Sequence, residues 1–341
     1  MDLAVSPSRI EGMCTKRRMR WIATGCCAAG LVAPAPAAGA GGGPVEPVQG
    51  GSGAAVPGHA ARYVAFGTPH GTLVARLVRG AATRWSVIPG DVGVPGAAFD
   101  GSTTGLAADG RTLVLAALSR RYPPRRSRLV VLDTRRLQVR QRITLRGFFA
   151  VDAISPSGRW LYLIHYPSAR NVLRYAVRTY DLRRGRLLTR PVVDPREPDE
   201  AMRGTPIART LSADGRWAYT LYQRPQGAPF VHALDTRRRT AACIDLDRLK
   251  GVELVGAKLV APSGSAPLRV ESRAGTHALI DRRTFAVSAP RPPARRAATA
   301  AVSEGGDMPW PAIGGTLALL GGLGLLATRA RRRSYSSPGT P

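Results

Sequence analysis

Residues 151–166 read VDAISPSGRWLYLIHY, and this stretch decides the fold. An apolar stub leads into Ser155-Pro156-Ser157-Gly158, and a run headed by Trp160-Leu161-Tyr162 follows. That is a strand, a tight turn and a second strand. The pattern recurs as TTGLAADGRTLVLAAL around Gly110, ARTLSADGRWAYTLYQ around Gly215 and AKLVAPSGSAPLRVES around Gly264. Asp109-Gly110, Ser157-Gly158 and Asp214-Gly215 are dipeptides that accept positive φ in a hairpin loop. The residues after each turn, such as Leu113-Val114-Leu115 and Trp217-Ala218-Tyr219, favour a pleated strand.

A second marker follows each first one. Asp133-Thr-Arg-Arg, Asp181-Leu-Arg-Arg, Asp235-Thr-Arg-Arg and Asp281-Arg-Arg each close an apolar run. An Asp side chain can bond the backbone ahead of it and shape a turn, so each marks another hairpin. The glycines lie 48, 57 and 49 residues apart and the aspartates 48, 54 and 46. Two independent markers with one period define a repeat of about 48 residues holding four short strands. Helix-period segments are scarce, so the class is all-β. Leu113, Leu115, Leu132, Leu161, Leu163 and Leu234 are the expected core.

The repeats extend from about Gly58 to residue 290. Tyr63–Phe66, Thr72–Val78 and Trp85–Ile88 are strand candidates of a first repeat that lacks its leading strand. The second covers 97–146, the third 148–193, the fourth 206–247 and the fifth 252–288. In the second, Val139, Ile143 and Leu145 are expected on one face of the last strand, with Arg140, Arg142 and Thr144 on the other. Ser155-Pro156-Ser157-Gly158-Arg159-Trp160-Leu161-Tyr162 resembles the S-P-D-G-x-x-hydrophobic-Y-V core of the YVTN/WD40-like β-propeller repeats. The resemblance covers roughly 58–290. It implies a β-propeller of about five four-stranded repeats and is silent on function, because such propellers serve as scaffolds, binders and enzymes. The WD dipeptide is absent and the fifth copy is degenerate.

The flanks place the chain in a cell. Lys16, Arg17, Arg18 and Arg20 precede the apolar stretch Trp21–Val32, and Ala38-Gly39-Ala40 forms an A-x-A site, so residues 1–40 read as a secretion signal. Met13 is an alternative start, and lipidation at Cys26 is the rival to cleavage at Ala40. Residues 41–57 read as a flexible linker and 291–309 as a Pro/Ala/Arg-rich stalk. Pro311–Thr328 carries no charge over 18 residues, about 27 Å as a helix. Trp310 stands before it and Arg329, Arg331, Arg332 and Arg333 after it. A transmembrane helix over 310–328 with a cytoplasmic tail at 329–341 follows, and residues 58–290 are expected on the extracytoplasmic side.

The net charge is +28, from 50 Lys plus Arg against 22 Asp plus Glu. Only Lys16, Lys250 and Lys258 are lysines. The arginines are spread along strands and turns, not gathered on one helix, so nucleic acid is not the expected partner. Anionic lipid or cell-envelope polymer fits better. No catalytic motif is present: no G-x-S-x-G elbow, no G-x-G-x-x-G and no Walker loop. His59, His70, His165, His232 and His277 form no local ligand pair. Asp194, Glu197, Asp199 and Glu200 read as a solvated acidic loop, and Cys243 as a small core hydrophobe. No catalytic, cofactor-binding or metal residue is therefore assigned. The expected function is a non-catalytic, membrane-tethered binding or scaffold module of the bacterial cell surface, with an unidentified protein or an anionic envelope polymer as partner. The alternative is a propeller enzyme of lactonase or lyase type with a metal in its central channel.

Overall fold

Each of the four pairs of turn markers folds a four-strand meander, and with a first one that lacks the markers five meanders follow one another along the chain. The computed structural model describes residues 44–290 apart from 56, 57, 169, 200 and 201. The expected signal segment at 1–40, stalk, transmembrane helix and tail all lie outside the described residues. The first sheet contains β1 (Ala54–Ala55), β2 (Ala61–Thr68), β3 (Gly71–Val78) and β4 (Ala81–Ile88). The second contains β5 (Val92–Gly93), β6 (Thr112–Ala117), β7 (Arg126–Asp133) and β8 (Gln138–Arg146). The third contains β9 (Phe148–Ile154), β10 (Trp160–Tyr166), β11 (Arg174–Asp181) and β12 (Arg186–Val192), with the short β13 (Met202–Arg203) added along β11. The fourth contains β14 (Thr205–Leu211), β15 (Trp217–Gln223), β16 (Phe230–Asp235) and β17 (Thr240–Asp245). The fifth contains β18 (Lys258–Val260), β19 (Leu268–Ser272), β20 (Gly275–Ile280) and β21 (Val287–Ser288). Strands adjacent in space are adjacent in sequence, and all their pairings are antiparallel. This is the blade arrangement of a β-propeller.

The six leucines expected in the core are all buried. They belong to clusters that each join neighbouring sheets. One joins the first sheet to the second through Tyr63, Val74, Leu113 and Leu132. Another joins the second to the third through Val131, Ile143, Leu161 and Leu163. Two more join the third to the fourth, and a last one joins the fourth to the fifth. Among the described residues no cluster joins the fifth sheet back to the first.

The turn chemistry is realised in detail. Gly110, Gly158, Gly215 and Gly264 all adopt φ between 65° and 69°. The Gly turns touch one another: a Cβ on Gly158 of the third sheet would lie 2.5 Å from Thr112 Oγ1 of the second, and one on Gly215 of the fourth would lie 2.5 Å from Ala108 Cβ of the second and 3.8 Å from Pro156 Cγ of the third. In the second marker, Asp133, Asp181 and Asp235 each accept the N–H groups two and three residues ahead, from the paired arginines. The residue four positions after each of these aspartates, and after Asp281, turns left-handed. It is Leu137, Gly185 and Arg239 in sheets two to four, and Phe285 in sheet five, with φ of 52°, 67°, 60° and 62°. Three of the four are not glycine, and packing holds them there. Leu137 is fully buried, Arg239 lies over the Trp160 ring at 4.6 Å, and Phe285 meets Trp217 edge-on at 5.4 Å. In the last two cases the side chain reaches back to the preceding sheet and ties the two together.

Four expectations need correction. The first sheet does have a leading strand, the two-residue β1, because Ala54 and Ala55 pair with Tyr63 and Arg62. The expected linker therefore takes part in the fold, and Val48 also bridges to Val94. In β8 a register shift opposite Val131 and Leu132 inserts an extra residue. Val139 consequently packs against the cluster shared with the first sheet, while Ile143 and Leu145 face the third; a bulge flips every side chain beyond it. Asp194 is not solvated. It is buried and accepts Arg196 and the Cys243 N–H at 2.9 Å.

One feature is invisible in the repeat. The inner edge of β6 is paired twice, by β5 and by residues 105–107, with an excursion at 94–104 between them. This excursion reaches the fourth sheet, where Phe99 and Asp100 donate their N–H groups to Pro206 and Ile207.

Candidate functional site

Because sheets two to five are antiparallel meanders, the Gly turn and the Asp turn of each fall at one end. The contacts between successive Gly turns bring those ends together. Arginines dispersed along the sequence are thereby concentrated: Arg111, Arg135, Arg136, Arg159, Arg183, Arg184, Arg216, Arg237, Arg238, Arg239, Arg282 and Arg283 all sit on these turns. The carboxylates on the same turns are Asp109, Asp133, Asp181, Asp214, Asp235 and Asp281. The reading of the arginines as merely scattered is corrected here, since scatter along the chain is not scatter in space.

The two charges do not face water equally. Asp181 and Asp235 are 1% exposed, while Arg183, Arg184, Arg237 and Arg238 are exposed. Burial pushes the Asp235 carboxyl up, but the Arg216 guanidinium at 2.6 Å and the N–H groups of Arg238 and Arg237 outweigh it and hold the pKa below the ordinary carboxylate value. Asp181 is held low in the same sense: burial opposes, and the N–H groups of Arg184 and Arg183 prevail. In Asp194 burial is again outweighed, here by Arg196. At Arg183, Arg184 and Arg238 the solvent therefore meets guanidinium groups beside buried acids that accept backbone N–H groups, whereas Arg237 pairs with the exposed Asp214 at 3.3 Å. Among the described residues no carboxylate pairs with Arg135, Arg136, Arg183, Arg184 or Arg238.

A depressed carboxylate stabilises the fold fully above its unfolded pKa, near 4, and loses that contribution as pH falls through the lower folded value. Melting temperature should thus hold above about pH 4 and fall steeply below it. Asp235→Asn should lower the melting temperature at neutral pH and flatten that fall, as read by calorimetry from pH 7 to 2. An unchanged acid limb in the variant would show that this carboxylate is not coupled to folding.

Two clefts open at this end. One, of about 410 Å³, lies between the third and fourth sheets and is lined by Arg186, Arg190, Arg238 and Arg239 with Thr179 and Thr189. No carboxylate lines it. The other, of about 370 Å³, lies between the fourth and fifth sheets, where Trp217, Tyr219, Arg282 and Arg283 stand with Asp214 and Asp281. Planar guanidiniums with five donors match phosphate and carboxylate oxygens in pairs. The first cleft can grip an anion; the second offers cation and aromatic surface together.

Where the inner strands converge, Arg209 of β14 meets Asp152 of β9, both nearly fully buried. Nη1 donates to Asp152 Oδ1 at 2.5 Å and to Thr220 Oγ1 at 2.9 Å, and Nη2 donates to the Asp152 carbonyl at 2.6 Å. Asp100, from the excursion, accepts the Arg209 N–H at 3.1 Å. His232 is buried in β16, and that burial lowers its pKa. His165 stacks on Phe149 at 4.4 Å, and His277 contacts Ser272 Oγ at 2.7 Å. Cys243 is half-buried with its Sγ 3.7 Å from Met202 Sδ. Among the described residues no three His, Cys, Asp or Glu side chains gather as a metal site. At the opposite end, a cavity of about 160 Å³ between the second and third sheets is walled by Tyr122, Phe148 and Leu118 and roofed by residues 44–47.

No protein-family model matches the chain, and no curated protein does either. Solved structures do resemble it. TolB from Acinetobacter baumannii is 15% identical, with 67% of this chain covering 51% of that one at a TM-score of 0.38. The β-propeller domain of Cps50 (Swd1) from Myceliophteria thermophila is 12% identical, with 67% and 66% covered and a TM-score of 0.38. The Dos1 propeller is 10% identical, with 70% and 58% covered and a TM-score of 0.40. The chain spans about half the length of the TolB structure it matches. Propellers recur among these neighbours, but the assignment of the architecture rests on the five meanders themselves.

Proposed function

We propose that this protein is a non-catalytic binding module of the bacterial cell surface that takes an anionic envelope polymer on the arginine-bearing end of its sheets. In this reading residues 1–40 export the chain, the 310–328 helix tethers it, and residues 329–341 stay in the cytoplasm. One observation carries the binding part: Asp181 and Asp235 are buried and accept backbone N–H groups, while Arg183, Arg184, Arg237 and Arg238 beside them remain at the surface. An elongated polyphosphate-like chain would engage several blades at once. The cleft of Arg186, Arg190, Arg238 and Arg239 is the expected centre of that contact.

The test uses the full chain in nanodiscs and a fluorescent poly(glycerol phosphate) as probe. Wild type should bind with an affinity that weakens steeply with added salt. Arg183, Arg184, Arg238 and Arg239 changed together to alanine should weaken binding by at least about tenfold, since charge-assisted hydrogen bonds contribute roughly 1.5–3 kcal/mol each. Equal binding by wild type and variant would end the reading. Equal competition by single-stranded DNA of the same charge would replace an envelope polymer with nucleic acid as the ligand.

A further inference from the structure

The first sheet ends the row of blades, and its second face is only partly covered among the described residues: Val64 and Ala75 are buried there, but no core cluster joins this face to another sheet. Tyr63, Ala65, Val74 and Ile88 point toward the second sheet and share its core. The residues between them point the other way, because side chains alternate along a strand. Cross-strand pairing gathers these into two rows, Phe66–Leu73–Val87 and Val64–Ala75–Trp85. Trp85 is 65% exposed, Val87 47% and Phe66 43%, three of the most exposed large apolar side chains described. In a closed ring the fifth sheet would cover them. Its own outward face is unsuited to that: Lys258 stands opposite Glu271, and Arg269 is bound to Glu271.

The charge around this face selects what can cover it. No Asp or Glu occurs between Glu46 and Asp91, so the entire first sheet lacks a carboxylate. Arg62 lies on the outward face opposite Leu77, Arg79 caps the β3–β4 turn, and Arg84 sits on the outermost strand. An apolar plate edged only with arginine repels a second copy of itself. It suits a bilayer carrying negative headgroups, where tryptophan settles at the interface and arginines reach the lipid phosphates. We propose that the outward face of the first sheet lies against an anionic lipid surface, with the Trp85 ring at headgroup depth. The proposal rests on the membrane-tethered reading only for bringing the face near a bilayer.

The experiment places the full chain in vesicles of phosphatidylglycerol with brominated acyl chains, which quench nearby tryptophan. The signal is the emission of wild type minus that of Trp85→Phe. This difference should be blue-shifted and strongly quenched in phosphatidylglycerol, and unquenched in phosphatidylcholine brominated in the same way. Phe66→Glu combined with Val87→Glu should abolish the quenching; because both side chains are exposed, a thermal melt matching wild type would confirm that the variant is folded. A Trp85 signal that stays unquenched in phosphatidylglycerol overturns the proposal. So does a Val87→Cys variant that crosslinks to a second copy in place of the quenching, which would make this a self-association face. Alkaline extraction separates the two readings: a chain that stays in the vesicle with Trp85 unquenched keeps the tether and loses this face. A chain stripped from the vesicle after a quenched Trp85 signal does the reverse.

Discussion

Replacing Asp152 with alanine should destabilise the folded chain by about 3–5 kcal/mol, because removing one partner of a buried pair strands the other charge. Arg209 cannot relieve this by losing its proton, since guanidinium stays charged at accessible pH. Nor can it reach water, because both side chains are at most 3% exposed. Its Nε already has no hydrogen-bond partner, so Asp152 and Thr220 carry most of the compensation. Changing both members, Asp152→Leu with Arg209→Met, should cost much less than the single substitution, since no charge remains to be stranded. Urea unfolding of the three proteins reads this directly. A single variant as stable as the double variant would mean that water reaches Arg209. The same substitution should also loosen the 94–104 excursion, which hydrogen exchange at Phe99 and Asp100 would reveal, because their acceptors are the carbonyls of Pro206 and Ile207, just before Arg209 on β14.

Leu132→Ala should cost about 2–5 kcal/mol, the range for emptying a leucine site in a packed core. Leu132 is fully buried near the end of β7, paired with Leu113 on one side and Val139 on the other. It belongs to the cluster that joins the first sheet to the second. Among the described residues no other core cluster holds the first sheet, so its attachment depends on this one. The loss should therefore appear as early protease sensitivity within residues 54–88 as well as a lower unfolding midpoint. A midpoint near that of wild type would place Leu132 outside the core. Trp85→Ala, by contrast, removes an exposed ring and should leave the midpoint within about 0.5 kcal/mol of wild type.

Much of this fold was legible because its information is local. A glycine that must take positive φ and an aspartate that bonds the two N–H groups ahead of it act over three or four residues. Gly158 and Asp181 therefore announce their hairpins without reference to the rest of the chain. Period-two alternation marked the strands and the buried leucines. It failed at β8, where the bulge sends Val139 to the opposite core from Ile143. An extra residue in a strand leaves no mark in composition. The left-handed Leu137, Arg239 and Phe285 were equally hidden, because their conformation is held by tertiary packing and not by glycine.

The candidate site was less legible, since it exists only once the sheets are stacked. The arginines were visible one by one, and their spacing promised no patch. Antiparallel meanders returned every Asp turn to the same end, and hydrogen bonding to backbone holds Asp181 and Asp235 inward while the arginines beside them stay out. The axial pair joins residues 57 positions apart, and Asp100 meets Arg209 across 109. The sequence by itself determined the all-β class, the five repeats and the chemistry of their turns, because each is settled by contacts within one hairpin. Only the tertiary structure decided where the positive charge collects, which carboxylate holds Arg209 and that Phe66, Trp85 and Val87 of the first sheet stay exposed, because each depends on what a neighbouring sheet places within a few ångströms.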